Sequence, residues 1–151
     1  MRPLFRLRQV YVHNPGAKQA FDELHGENEL LWSLMLVGYV QCNLMSETLH
    51  EFNKMPSRDV MAWTTLISGY ARSEDGNEWA LELFRRMRGS GEVEPNEFTL
   101  DCVIRACGRL GSLREGRIAY GLLIKYGFGF DQSIASALIE FYCDCEPIHE
   151  A

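Results

Sequence analysis

The chain has 151 residues, 46% of them hydrophobic and 24% charged, a balance that supplies a continuous apolar core and excludes an intrinsically disordered chain. Its net charge of −6 excludes nucleic-acid binding by bulk phosphate neutralisation, which needs clustered Lys and Arg, so any such role must rest on a localised groove and on base contacts. Charged residues break every apolar run before the ~18 residues that a membrane span requires, which points to a soluble or peripheral protein.

Residues 1–15 hold Arg2, Arg6 and Arg8 and no acid. Two readings of this segment stay open. It is either an organellar transit segment, though one without the usual Ser enrichment, or the degenerate first helix of a truncated repeat with Leu4, Phe5 and Leu7 apolar. Residues 16–28, with Ala17, Ala20, Phe21 and Leu24 in helical register, read as the second half of a preceding repeat.

From residue 29 onward the chain repeats itself. Leu31-Trp32-Ser33-Leu34-Met35 through Gly38-Tyr39 returns as Ala62-Trp63-Thr64-Thr65-Leu66 through Gly69-Tyr70, with the two Trp residues 31 positions apart. Each segment is followed by a second apolar-periodic stretch, ending in Phe52 with Met55 and in Phe84 with Met87. Using the Trp positions as phase markers, residues 29–59 form one unit and 60–96 the next. A third, 97–131, carries Leu100, Val103, Ile104 and Cys107 on a first helical stripe and Leu113, Ile118, Leu122 and Ile124 on a second. Residues 132–151 open a fourth unit with Ala137-Leu138-Ile139 and Tyr142.

Helix punctuation supports this division. Asp75-Gly76-Asn77 and Gly111 separate paired helices, Ser112 with Glu115 reads as a capping box, and Gly127 stands where a left-handed terminating residue belongs. Asp59, Asn96 and Asp131 each precede a new first helix and are good N-cap types, worth about 1 kcal/mol apiece. A helical pair of this kind cannot bury both faces alone. The expected fold is therefore all-α, an α-solenoid of stacked helix-turn-helix repeats in a right-handed superhelix with a concave groove.

The repeat wording discriminates among helical-repeat types. Trp63 is followed by Thr64-Thr65-Leu66-Ile67-Ser68-Gly69-Tyr70, and Met87 leads through Gly91 to Glu94-Pro95-Asn96, which departs from the W-x-x-L-G-x-x-Y of tetratricopeptide units. It closely resembles the pentatricopeptide repeat (PPR) family. Residues 29–59, ending KMPSRD, resemble the short repeat of plant PLS-class PPR proteins, 60–96 the standard repeat, 97–131 with its IRAC and IKYGF segments the long repeat, and 132–151 an incomplete short one.

The resemblance implies single-stranded RNA as partner, read at about one base per repeat by side chains in the groove that the first helices line. In the family, the residue after the first-helix aromatic and the last residue of the repeat meet the base edge, and the second residue packs on its face. Carried onto this chain, the first complete unit offers Ser33 with Asp59, flanked by Leu30; the second offers Thr64 with Asn96, flanked by Met61. A carboxylate only accepts hydrogen bonds and suits guanine N1–H and N2–H₂, whereas an amide donates and accepts and suits adenine. The implied readout is G then A, with RNA running 5′ to 3′ along the chain. In the third unit Asp101, Asp131 and Phe98 place two carboxylates at one base site and yield no base assignment; in the fourth, Ser136 is the candidate. The resemblance further implies an adaptor in organellar RNA editing, modification or processing, in the mitochondrion or alternatively the chloroplast, with editing-complex proteins supplying catalysis in trans.

Other readings are weaker. Trp32 and Trp63 match the apolar stripe of their helices and are expected in the core, with Tyr39, Tyr70 and Tyr142 structural alongside them. Ser33 and Thr64, taken without the resemblance, are ordinary polar residues of an exposed helix face. The five cysteines are odd in number and sit in helical patterns, which indicates free thiols in a reducing compartment. Cys143, Cys145 and His149 are too few and too differently directed for zinc, and His25-Gly26-Glu27 lacks the P-C-x-x-C that a zinc deaminase adds. No catalytic motif, cofactor or small-molecule substrate is expected. The alternative function is a protein-interaction scaffold or a non-functional truncated repeat fragment.

Overall fold

The computed structural model describes residues 19, 23, 29–129 and 131–145. Gln19 and Glu23 are helical and share a hydrogen bond of 3.4 Å; the readings of residues 1–15, His25 and His149 lie outside the described residues. Among the described residues seven further helices follow in hairpin order: α1 (Glu29–Gln41), α2 (Met45–Lys54), α3 (Val60–Arg72), α4 (Asn77–Ser90), α5 (Glu97–Leu110), α6 (Leu113–Lys125) and α7 (Gln132–Cys145). There is no strand among the described residues, and no helix there is long and apolar enough to cross a membrane.

Layering follows from which helices touch. The first helices of successive pairs, α1, α3, α5 and α7, pack directly on one another, while α2 and α4 lean on the first helices of their own and the following pair; α6 packs on α5 and meets α7 where Gly116 faces Phe141. An inner layer in continuous contact and an outer layer spread apart define a curved solenoid whose concave side the first helices line. Their shared face is the core. Trp32, Leu36 and Tyr39 of α1 align with Trp63, Ile67 and Tyr70 of α3 and with Leu100, Ile104 and Cys107 of α5, all but the half-buried Tyr70 buried.

The outer helices close each pair through the expected Phe and Met anchors. Phe52, Met55, Phe84 and Met87 are buried, and the Phe52 and Trp63 rings meet edge-on at 4.7 Å between centroids, tying α2 to α3 across a unit boundary. Close approach needs small residues: a Cβ on Gly69 would stand 2.9 Å from Val40 Cγ1, so the α1–α3 contact has no room for one.

The turns differ by unit. Asn43 (φ 58°) and Gly111 (φ 64°) both take the left-handed conformation, and in each turn the next residue's N–H reaches back to an orphan carbonyl, Leu44 to Tyr39 at 2.9 Å and Ser112 to Cys107 at 2.8 Å. Asn43 is one of the few non-glycine types that tolerate this backbone. Gly127 (φ 68°) ends α6 in the same way.

Two expectations are corrected. The Ser112–Glu115 capping box does not form: Ser112 Oγ donates to Glu115 Oε2 at 2.5 Å and receives no backbone N–H. The Ser112 N–H already serves the preceding helix end, so the reciprocal half of a box has no donor left. The stripe of α6 is also shifted, because Gly116, Ala119 and Leu123 are buried whereas Ile124 is exposed. On α7, Phe141 is fully buried and Ile139 exposed.

Candidate nucleic-acid interface

The inner layer brings polar side chains from the starts of α1, α3, α5 and α7 to the seams between successive units. Each seam begins with a capped helix. Asp59 Oδ1 accepts from Ala62 N at 2.8 Å, Asn96 Oδ1 from Thr99 N at 2.8 Å, and Asp131 Oδ1 from Ile134 N at 2.9 Å, as the cap residue types require.

At the first seam Ser33 Oγ donates to Asp59 Oδ1 at 3.3 Å, so the two residues expected to act together do meet. Leu30 lies in the first turn of α1, with its side chain outside the described residues. At the second seam Thr64 and Asn96 are joined through a third residue. Thr64 Oγ1 is 2.7 Å from Thr99 Oγ1, which in turn donates to Asn96 Oδ1 at 2.8 Å.

Ser33 and Thr64 do not lie on an exposed face. They are 0% and 6% exposed, held against the next first helix by these hydrogen bonds, since an unsatisfied hydroxyl at that depth would be costly. Thr64 still borders a cleft of about 350 Å³, together with Asn96, Arg72, Ser68, Met61 and Phe98. Met61 (40% exposed) and Phe98 (55% exposed) are large apolar side chains left open on a groove wall, where burial against a flat partner would be favourable.

A second cleft, of about 560 Å³, follows one unit along, and Phe98 and Asn96 border both. Asp101 and Asp131 line this cleft, but they do not bond to one another. Asp101 is engaged by Arg105 at 3.4 Å and by Ser133 Oγ at 3.3 Å, and Arg105 also reaches Glu140 at 3.2 Å and the Ser133 carbonyl at 2.9 Å. Ser136 Oγ donates to Glu140 Oε1 at 3.4 Å. The third seam is thus an ion network, unlike the compact hydroxyl–cap pairs of the first two.

Sequence reasoning missed Thr99, Arg72, Arg105 and Phe128, the last of which borders the second cleft. Thr99 left a faint signal: a hydroxyl in a register filled by Ala62 and Ile134 in the neighbouring units. Trp32 and Trp63 are buried as expected and cannot stack on a ligand. Cys42, Cys102, Cys107 and Cys143 are free thiols; burial pushes the Cys102 thiol up to about 11 and that of Cys107 up to about 12.

A solenoid of helical hairpins with polar-edged, apolar-walled clefts at its second and third seams defines a helical-repeat protein. Comparison with known proteins specifies the kind. The PPR repeat family matches residues 58–109. One pentatricopeptide repeat-containing protein of Arabidopsis thaliana is 42% identical over 95 residues, 62% of this chain and 15% of the relative; a second is 44% identical over 113 residues, 73% and 16%. A third, named mitochondrial, is 33% identical over 140 residues, 93% of this chain and 24% of the relative. The crystal structure of the pentatricopeptide repeat protein PPR10 in complex with an 18-nt psaJ RNA element is similar in fold, with a TM-score of 0.60 at 20% identity over 95% of this chain and 22% of that one. The chain belongs to the pentatricopeptide repeat family. It spans between 15% and 24% of the length of these relatives.

Proposed function

We propose that this chain binds single-stranded RNA sequence-specifically, one base per seam, as the reading segment of a PLS-class PPR protein. The observation that carries this reading is the cleft at the second seam: two exposed apolar side chains, Met61 and Phe98, flank a polar edge made by Thr64 and Asn96. A base slid between such walls gains stacking and dispersion on its faces, while its edge meets directional hydrogen-bonding groups. Ser33 with Asp59, flanked by Leu30, takes G; Thr64 with Asn96, flanked by Met61, takes A in the next 3′ position. Asp101, Asp131 and Phe98 serve the third seam and Ser136 the fourth.

The role is that of an adaptor in organellar RNA editing, modification or processing, with no catalysis in the repeats and with partner proteins acting on the bound RNA. The mitochondrion is the proposed site and the chloroplast the alternative; relatives named mitochondrial and chloroplastic are both among the similar proteins. A second reading, a protein-interaction scaffold, is favoured by one outer-face feature: exposed Trp79, stacked on Tyr70 at 6.0 Å, beside a cleft of about 580 Å³ that Leu110 also borders.

Fluorescence anisotropy with labelled single-stranded RNA separates the two. GA-containing RNA is expected to bind more tightly than RNA with GG, AA or CU at those positions, and Thr64→Asn with Asn96→Asp moves the preference away from A. Absence of binding, or binding indifferent to that double change, leaves the scaffold reading in place.

A further inference from the structure

We infer that Thr99, the third residue of α5, is a positioning residue that fixes the hydrogen-bond polarity of the base site at the second seam; the inference rests on the RNA-binding reading above. Thr99 is fully buried and belongs to the following unit, yet it stands between the two residues that meet the base edge.

The polarity follows by assigning each hydrogen in turn. The Thr99 backbone N–H can only donate, and it lies 2.8 Å from Asn96 Oδ1, so that atom is the amide oxygen and the orientation of the amide is set. Thr99 Oγ1 is 2.8 Å from the same oxygen and must spend its single hydrogen there. Thr64 Oγ1, 2.7 Å from Thr99 Oγ1, must then be the donor of that pair. The wiring therefore runs in one direction, Thr64 to Thr99 to Asn96.

What remains for a ligand is fixed by subtraction. Thr64 Oγ1 has given up its hydrogen and keeps lone pairs, so it accepts; Asn96 Oδ1 is doubly occupied, so the amide offers its NH₂ and donates. An edge with a donor beside an acceptor matches adenine, through N6–H₂ and N1, and cytosine, through N4–H₂ and N3. Guanine and uracil carry N–H at the corresponding ring position and meet a donor with a donor. The first seam shows the contrasting case within the same chain. Ala62 occupies the place of Thr99, Ser33 donates directly to Asp59, and the free groups are all acceptors, which matches guanine.

The test measures binding of the wild-type chain, Thr99→Val and Thr99→Ser to four single-stranded RNAs that differ only at the nucleotide facing the second seam, and to a second set varied at the preceding nucleotide. The wild type is expected to favour A and C over G and U. Thr99→Val keeps the branched shape, frees the Thr64 hydrogen and lowers that discrimination on the order of tenfold, while the G preference at the preceding nucleotide stays. Thr99→Ser restores discrimination to within about twofold of wild type. Wild-type discrimination in Thr99→Val, or equal losses at both nucleotides, overturns the relay alone. A wild-type chain that binds none of the RNAs overturns the RNA-binding reading and the relay with it. Melts followed by circular dichroism check folding; where Thr99→Val melts below the assay temperature, Thr99→Ala, which copies Ala62 of the preceding unit, removes the same hydroxyl and carries the same expectation.

Discussion

Asn96→Asp separates the structural work of one side chain from its recognition work, because the two are done by different atoms. Oδ1 accepts the Thr99 N–H and O–H, both at 2.8 Å, and an aspartate in the same rotamer keeps that oxygen. Asn and Asp are equivalent N-caps to within about 0.5 kcal/mol, and a carboxylate at the start of α5 gains a further ~0.3–1 kcal/mol from the helix dipole, so folding is expected to be unimpaired. The second atom changes sign. The NH₂ that donates to adenine N1 becomes an oxygen that only accepts, which forfeits about 1 kcal/mol of hydrogen bonding to A and offers guanine N1–H a charge-assisted bond of roughly 1.5–3 kcal/mol. The combined swing of about 3 kcal/mol amounts to on the order of a hundredfold in the A-to-G affinity ratio. Anisotropy titrations with RNAs differing at that one nucleotide measure it, with Asn96→Ala as a control that loses the cap, costs ~1–2 kcal/mol and lowers the melting temperature by roughly 2–8 °C. An A-to-G ratio unchanged within about twofold in a folded Asn96→Asp chain would refute the assignment of Asn96 to the base edge.

Three further predictions concern packing, pH and thiol chemistry. In Gly116→Ala the new Cβ would stand 2.2 Å from the fully buried Phe141 ring, an overpacking worth ~1–3 kcal/mol; hydrogen exchange is expected to accelerate in residues 132–145 before it does elsewhere, and an unchanged α7 counts against this contact. Glu115 has its carboxyl lowered from 4.5 to about 2 by the Ser112 hydroxyl and then by Arg85, so its folded form favours the ionised state. The stability this supplies is complete above about pH 4.5 and is lost as pH falls toward 2; Glu115→Gln is expected to flatten that part of an acid titration followed by circular dichroism, and an unaltered slope rejects the linkage. Exposed Cys143 is expected to alkylate with iodoacetamide well before Cys107, whose buried thiol is pushed up to about 12; peptide mapping that finds Cys107 modified first overturns this order.

Much of the fold was legible because a solenoid is governed by local period. Trp32, Trp63 and Leu100 recur in phase and all three are buried, and the cap types at Asp59, Asn96 and Asp131 each found the expected backbone N–H. Prediction failed where the answer depended on a neighbour. Ser112 could not complete its capping box because the preceding helix end had taken its N–H, and Ile124 left the α6 stripe because packing against α5 and α7 selects Gly116, Ala119 and Leu123.

The same division runs through the site. The resemblance to the PPR family singled out Ser33 with Asp59 and Thr64 with Asn96, whereas residue type and spacing alone marked Asp59 and Asn96 only as caps. That Ser33 and Thr64 are buried, that Thr99 joins one pair while the other is joined directly, and that Ser133 of the following unit bonds Asp101 are decided between repeats. Periodicity specifies which face a side chain occupies. Only the stacking of one unit on the next specifies which donor meets which acceptor across the seam, because those partners lie 26 to 35 residues apart in the chain.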